Sequence, residues 1–147
     1  MVKKEITVKG LYKMSNTGRI LIADDAGALL LPITDLLRIE GYECNYVPDA
    51  TTVIEILKCV QFDLLIADLN MITGSSALGI IKELPDNAKE LPIILVTDVP
   101  FFDAQIQSMQ PPVTACLSKP LCFDELLKYI KCSIKDNTYN SIFSAMP

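Results

Sequence analysis

At 147 residues, half of them hydrophobic and about a fifth charged, the chain is long enough to bury one real core and is ordinary for a globular domain. A net charge of −5 argues against a nucleic-acid-binding surface as the main function. The absence of histidine removes the commonest general base, every His-containing triad and a phosphohistidine carrier.

Residues 1–18 are polar, basic and without sustained periodicity, and read as a flexible extension. Residues 1–19 carry five Lys and Arg against one Glu, so the remainder is distinctly acidic, which suits a site that collects carboxylates around a divalent cation. Arg19 to Asp25 reads as a first strand, with Ile20, Leu21, Ile22 and Ala23 apolar and Asp24-Asp25 at its end. A helix is predicted over roughly 27–40, with Leu29, Leu30, Ile33, Leu36, Leu37 and Ile39 at helical spacing. Pro32 should kink it or mark a late start, and Gly41 ends it.

Glu43 to Pro48 is a short second strand, and Asp49 caps a helix running to about Val60 whose buried face is Val53, Ile54, Ile56 and Leu57. The third strand, 63–69, holds the apolar run Leu64 to Ala67, suited to burial on both faces, and ends abruptly on Asp68. After Gly74-Ser75-Ser76 comes a third helix with Leu78, Ile80, Ile81 and Leu84 apolar. Pro92 to Thr97 is a fourth and very apolar strand; a short fourth helix, about 101–109, lies between Pro100 and Pro111-Pro112. Thr114 to Ser118 is a fifth strand, followed by Lys119-Pro120 and a last helix over 121–134 with Phe123, Leu126, Leu127 and Ile130 at helical spacing. Residues 135–147 read as a tail. Five alternations of strand and helix predict a doubly wound α/β domain with a parallel sheet.

Cys44, Cys59, Cys116, Cys122 and Cys132 are odd in number, lack a Cys-x-x-Cys and have mostly apolar neighbours. Free and mostly buried thiols in a reducing cytoplasm are expected, rather than disulfides or a zinc site. No segment approaches about 18 uninterrupted apolar residues, so neither a membrane span nor a secretory signal is expected.

Polar groups cluster at the carboxyl ends of the predicted strands, where open parallel sheets bind ligands. Strand one supplies Asp24 and Asp25, strand three Asp68, strand four Thr97 and strand five Lys119. In the five-strand order 2-1-3-4-5, strands one and three are neighbours at the switch point, so three carboxylates share one crevice. Like charges so close repel unless a cation holds them, and oxygen-only ligands select Mg²⁺ or Mn²⁺. A lysine and a threonine hydroxyl nearby suit a phosphoryl group, with Asp68 the natural nucleophile for a covalent aspartyl phosphate.

Over about residues 19–134 the chain resembles the receiver domain of bacterial two-component response regulators. The resemblance rests on Ile20-Leu21-Ile22-Ala23-Asp24-Asp25, Asp63-Leu64-Leu65-Ile66-Ala67-Asp68, Pro92-Ile93-Ile94-Leu95-Val96-Thr97 and Ser118-Lys119-Pro120. The steps of 43, 29 and 22 residues from Asp25 to Asp68 to Thr97 to Lys119 are those of the family. The resemblance implies a flavodoxin-like fold in which Asp68 accepts a phosphoryl group from a sensor histidine kinase or phosphotransfer protein. It further implies that Asp24, Asp25, Asp68 and the backbone carbonyl of Asn70 hold Mg²⁺ and that Lys119 pairs with phosphoryl oxygens. Thr97 would swing inward as the switch, and the Lys119–Pro120 peptide would be cis. Such a chain is a phosphoacceptor switch rather than an enzyme, cytoplasmic, signalling to a downstream protein target or a missing output domain. By analogy it could form a homodimer through the fourth and fifth helices.

Several positions depart from the family pattern. Cys116 stands where Tyr or Phe usually serves as the ring that turns inward behind the threonine. Ile72 replaces a common proline, Ser75-Ser76 replace Asp-Gly, and Asp98 follows Thr97 where a small residue is typical. The chemistry reads as intact and the readout as altered. Two other functions compete. One is a phosphate-independent interaction module on the same fold. The other is an aspartate-nucleophile phosphatase, which would place a second Asp two residues after the first, where this chain has Asn70.

Overall fold

A computed structural model of the chain describes residues 18–24, 30–68, 77–97 and 113–134, with backbone only at 30 and 77–79. The basic extension, the tail, the predicted fourth helix, Asp25, Asn70, Ile72, Ser75-Ser76 and Asp98 lie outside these residues. Five parallel strands, β1 (Arg19–Ala23), β2 (Glu43–Val47), β3 (Leu64–Asp68), β4 (Ile93–Thr97) and β5 (Val113–Ser118), form one sheet in the order β2-β1-β3-β4-β5. This is the predicted topology. The described helices are α1 (Leu30–Ile39), α2 (Ala50–Cys59), α3 (Ala77–Lys82) and α4 (Phe123–Ser133), with a 3₁₀ turn at Asp86–Ala88.

Because side chains alternate along a strand, the central strands feed two cores at once. Leu21, Ala23, Leu65, Ala67, Ile93 and Leu95 pack on one side with Val53 and Leu57 of α2 and Ile80 of α3. Ile20, Ile22, Leu64, Ile66, Ile94 and Val96 pack on the other with Ile33 and Leu37 of α1 and Leu126 and Ile130 of α4. Helices on both faces explain why β3 and β4 are buried at every position.

Local signals set the helix ends. Asp49 caps α2, accepting from the Thr52 amide at 2.7 Å and its hydroxyl at 2.9 Å; these bonds hold its carboxyl below its ordinary pKa. At the end of α1, Gly41 takes a positive φ of 100°, and the amides of Gly41 and Tyr42 donate back to the carbonyls of Arg38 and Leu37. That is a Schellman closure, with Tyr42 buried in the same core as Leu37.

One facing that periodicity left open is settled, and one expectation is corrected. On α1 the buried stripe is Ile33, Thr34 and Leu37, whereas Leu36 and Ile39 face outward, Ile39 being 75% exposed. The thiols are free but not mostly buried: Cys44 is buried, Cys116 half-buried, and Cys59, Cys122 and Cys132 are exposed. Burial pushes the Cys44 thiol up to about 11, against a smaller downward pull from Arg38.

β5 carries an irregularity of direct consequence. Ile93 is registered with Val113 but Ile94 with Ala115, so Thr114 is an extra residue, a β-bulge. Its hydroxyl lies 3.3 Å from the Ile93 carbonyl and 2.8 Å from the Ser133 hydroxyl. One inserted residue reverses the facing of everything after it. Cys116 therefore packs against the core of Leu95 and α2, while Ala115 and Leu117 join that of α4.

Candidate functional site

Five of the expected site residues lie among the described ones, and the strand register brings four of them, Asp24, Asp68, Thr97 and Lys119, to one rim. Ala23 is registered with Ala67, so the next residues, Asp24 and Asp68, emerge side by side. Asp68 is registered with Val96, so Thr97 stands one residue further out; Thr97 is registered with Ser118, and Lys119 comes next. By alternation Asp24 and Asp68 continue the face of Ile22 and Ile66, whereas Thr97 continues that of Leu95 and Cys116.

The polar character of this rim is buried. Asp24, Asp68 and Thr97 are 0%, 2% and 1% exposed, three of the four buried polar residues among those described. Buried charges need partners. Lys119 Nζ donates to Asp68 Oδ2 at 2.7 Å, joining strands β3 and β5 across the end of β4. The Lys119 amide donates to the Thr97 carbonyl at 2.7 Å, and the Lys119–Pro120 peptide is cis, as expected. The lysine is thus fixed at its backbone as well as at its ammonium.

Asp24 is held from β2. Its amide donates to the Val47 carbonyl at 3.1 Å, and the Tyr46 hydroxyl donates to its carbonyl oxygen. Tyr46 was absent from the residues marked by sequence, because a tyrosine 22 positions downstream carries no local signal of this contact. At the position expected to couple to Thr97 lies the half-buried Cys116, its thiol raised in pKa by burial.

Could this rim hold a divalent cation? Two buried carboxylates, Asp24 and Asp68, end adjacent strands, Lys119 pairs with Asp68, and the carboxylate donors are oxygens of the kind hard cations prefer. Among the described residues no group of three or more His, Cys, Asp or Glu forms a complete metal set. Asp24 and Asp68 are two of the four expected ligands, and the other two, Asp25 and the Asn70 carbonyl, lie outside those residues. The donor set fits Mg²⁺ or Mn²⁺ as far as it is described. Among the described residues no helix is long and apolar enough to cross a membrane.

The chain matches the response regulator receiver domain over residues 20–131. It is 31% identical over 116 residues to the chemotaxis protein CheY of Pseudomonas aeruginosa, spanning 77% of this chain and 93% of that protein. It is 30% identical over 119 residues to the DNA-binding transcriptional regulator NtrC of Proteus hauseri, spanning 80% of this chain but only 24% of the regulator. The chain therefore spans about a quarter of the length of that relative. Among solved structures it is similar to the response regulator protein TrrA from Thermotoga maritima in complex with Mg²⁺ and BeF, with a TM-score of 0.68 and 27% identity over 78% of this chain and 97% of that one.

Proposed function

Because the chain belongs to the response regulator receiver domain family of two-component signalling, we propose that Asp68 is its phosphoacceptor and that phosphorylation of Asp68 switches its contacts with other proteins. The observation that carries this is the buried Asp68 carboxylate held at 2.7 Å by Lys119 at the polar rim of the sheet.

An Asp68 oxygen attacks the phosphorus of a phosphohistidine on a sensor kinase or phosphotransfer protein. The P–O bond forms as the P–N bond breaks, and the imidazole leaves with its electron pair and takes a proton. Lys119, already within hydrogen-bond distance of Asp68, redirects its ammonium hydrogen bonding to the phosphoryl oxygens as negative charge develops there. Asp24, Asp25, Asp68 and the Asn70 carbonyl would hold Mg²⁺, which when bound neutralises phosphoryl charge and fixes its orientation. Thr97, buried one residue beyond Asp68 in the register, donates its hydroxyl to a phosphoryl oxygen after turning inward. With no histidine in the chain and Asn70 where a phosphatase carries its acid, turnover is slow, so the chain works as a switch and not as an enzyme.

Partners follow from the same reading. The donor is a histidine kinase or phosphotransfer protein, and the target is a protein or an output domain of the kind that the DNA-binding relative's name implies. Dimerisation through the helix predicted over about 101–109 and α4 belongs to this proposal, as does a cytoplasmic location.

The test is incubation with Mg²⁺ and acetyl phosphate followed by intact-protein mass. Wild type should gain one phosphoryl group, and Asp68→Ala should gain none. If neither acetyl phosphate nor any histidine kinase phosphorylates the wild-type chain, a phosphate-independent interaction module replaces the switch.

A further inference from the structure

The Asp24 peptide sits where β1 has run out of ladder. Ala23 is the last β1 residue registered with both β2 and β3, and the Asp24 amide donates to the Val47 carbonyl of β2. Its carbonyl oxygen accepts from the Tyr46 hydroxyl instead. Tyr46 is registered with Ile22, two residues earlier, and packs on the same core face as Ile22. Two residues of strand are about 6–7 Å, which is about the reach of a tyrosine from backbone to hydroxyl. The ring therefore lies along the sheet toward the rim and ends on the peptide that carries the buried carboxylate. A phenylalanine would fill the same space and donate nothing.

We propose that Tyr46 is a positioning residue for the cation site, holding the Asp24 peptide in the orientation that binding requires before the metal arrives. This rests on the reading of Asp24 as a Mg²⁺ ligand. A carbonyl at the end of a strand, released from its donor, gains conformations that must be given up when the cation binds. Preorganisation of this kind shows as affinity. The contact also makes β2, the one strand without a carboxylate, lysine or threonine at the site, a contributor to it.

The measurement is Mn²⁺ binding followed by electron paramagnetic resonance on wild type and Tyr46→Phe, without any phosphodonor. Thermal midpoints are taken in chelator, and the Mg²⁺ dependence of acetyl phosphate labelling is measured alongside. One lost hydrogen bond corresponds to about three- to tenfold weaker Mn²⁺ binding. The Mg²⁺ concentration for half-maximal labelling should rise by the same factor, with the rate at saturating Mg²⁺ little changed. A drop in the chelator midpoint with unchanged Mn²⁺ affinity would reduce Tyr46 to a packing residue and overturn the proposal, as would equal affinity with equal stability. If wild type itself binds no Mn²⁺, the cation-site reading fails first and takes this inference with it.

Discussion

Among the described residues, two carboxylates removed from water end adjacent strands on the same face of the sheet, and Lys119 pairs with one of them, Asp68. Such crowding is the usual cost of a binding site: charges suited to a ligand destabilise the fold that lacks it. Asp24→Asn keeps the shape of the side chain and removes one of the two charges. In chelator its thermal midpoint should lie a few degrees above wild type, equivalent to about 1 kcal/mol in a domain of this size. Millimolar Mg²⁺ should raise the wild-type midpoint through linkage and leave the variant's unchanged. A variant that melts below wild type in chelator would mean that the native contacts of the Asp24 carboxylate outweigh its repulsion with Asp68. At this scale the buried polar residues of the candidate site were legible wherever a polar residue ends an apolar run, as Asp24, Asp68 and Thr97 do. Tyr46 was illegible because its partner is a backbone carbonyl, which leaves no trace in residue type.

The elements show the same division between what pattern encodes and what packing decides. Strands buried on both faces are written as unbroken apolar runs, and β3 and β4 could be read directly. α1 is apolar over more than half its circumference, so periodicity alone left its facing ambiguous. The sheet settles it by covering Ile33, Thr34 and Leu37, which leaves Leu31, Leu36 and Ile39 in water. The cysteines were misread for the same reason: apolar neighbours in sequence do not say which side of a helix Cys59 or Cys132 occupies. Stability should follow the observed facing. Leu37→Ala, at a fully buried position, should cost about 2–5 kcal/mol. Ile39→Ala, at a position 75% exposed, should change stability by no more than about 0.5 kcal/mol. Urea unfolding of the two variants decides between them; comparable losses would mean that α1 packs with its other face inward.

Across the whole molecule, the question is how an event at Asp68 reaches a distant surface. The sheet gives one continuous route on the face shared by Thr97, Leu95 and Cys116, and the bulge at Thr114 is what turns Cys116 onto that face. Nothing in the local sequence announces the bulge, so the position of Cys116 was legible only through the family pattern. A receiver must shift its equilibrium by about 5.5 kcal/mol to pass from 1:99 to 99:1 active. A ring that enters space vacated by a threonine supplies part of that by trading exposed for buried apolar surface. The thiol of Cys116 is small and already half-buried, so it has little surface to trade. The wild-type response to phosphorylation should therefore stay local. With Mg²⁺ and beryllofluoride as the phosphoryl mimic, amide hydrogen exchange should slow around Asp68 and Thr97 and change little along β5. Cys116→Tyr should extend the slowing through β5 and raise the midpoint gained on adding the mimic above that of wild type. Before the mimic is added the ring has no vacated space to enter, so forcing it inward would overpack the core at a cost of about 1–3 kcal/mol, and it stays outside. Identical exchange patterns in the two proteins would show that coupling bypasses position 116. Output would then have to run through the other face of the sheet, where Ile66 and Val96 meet α1 and α4.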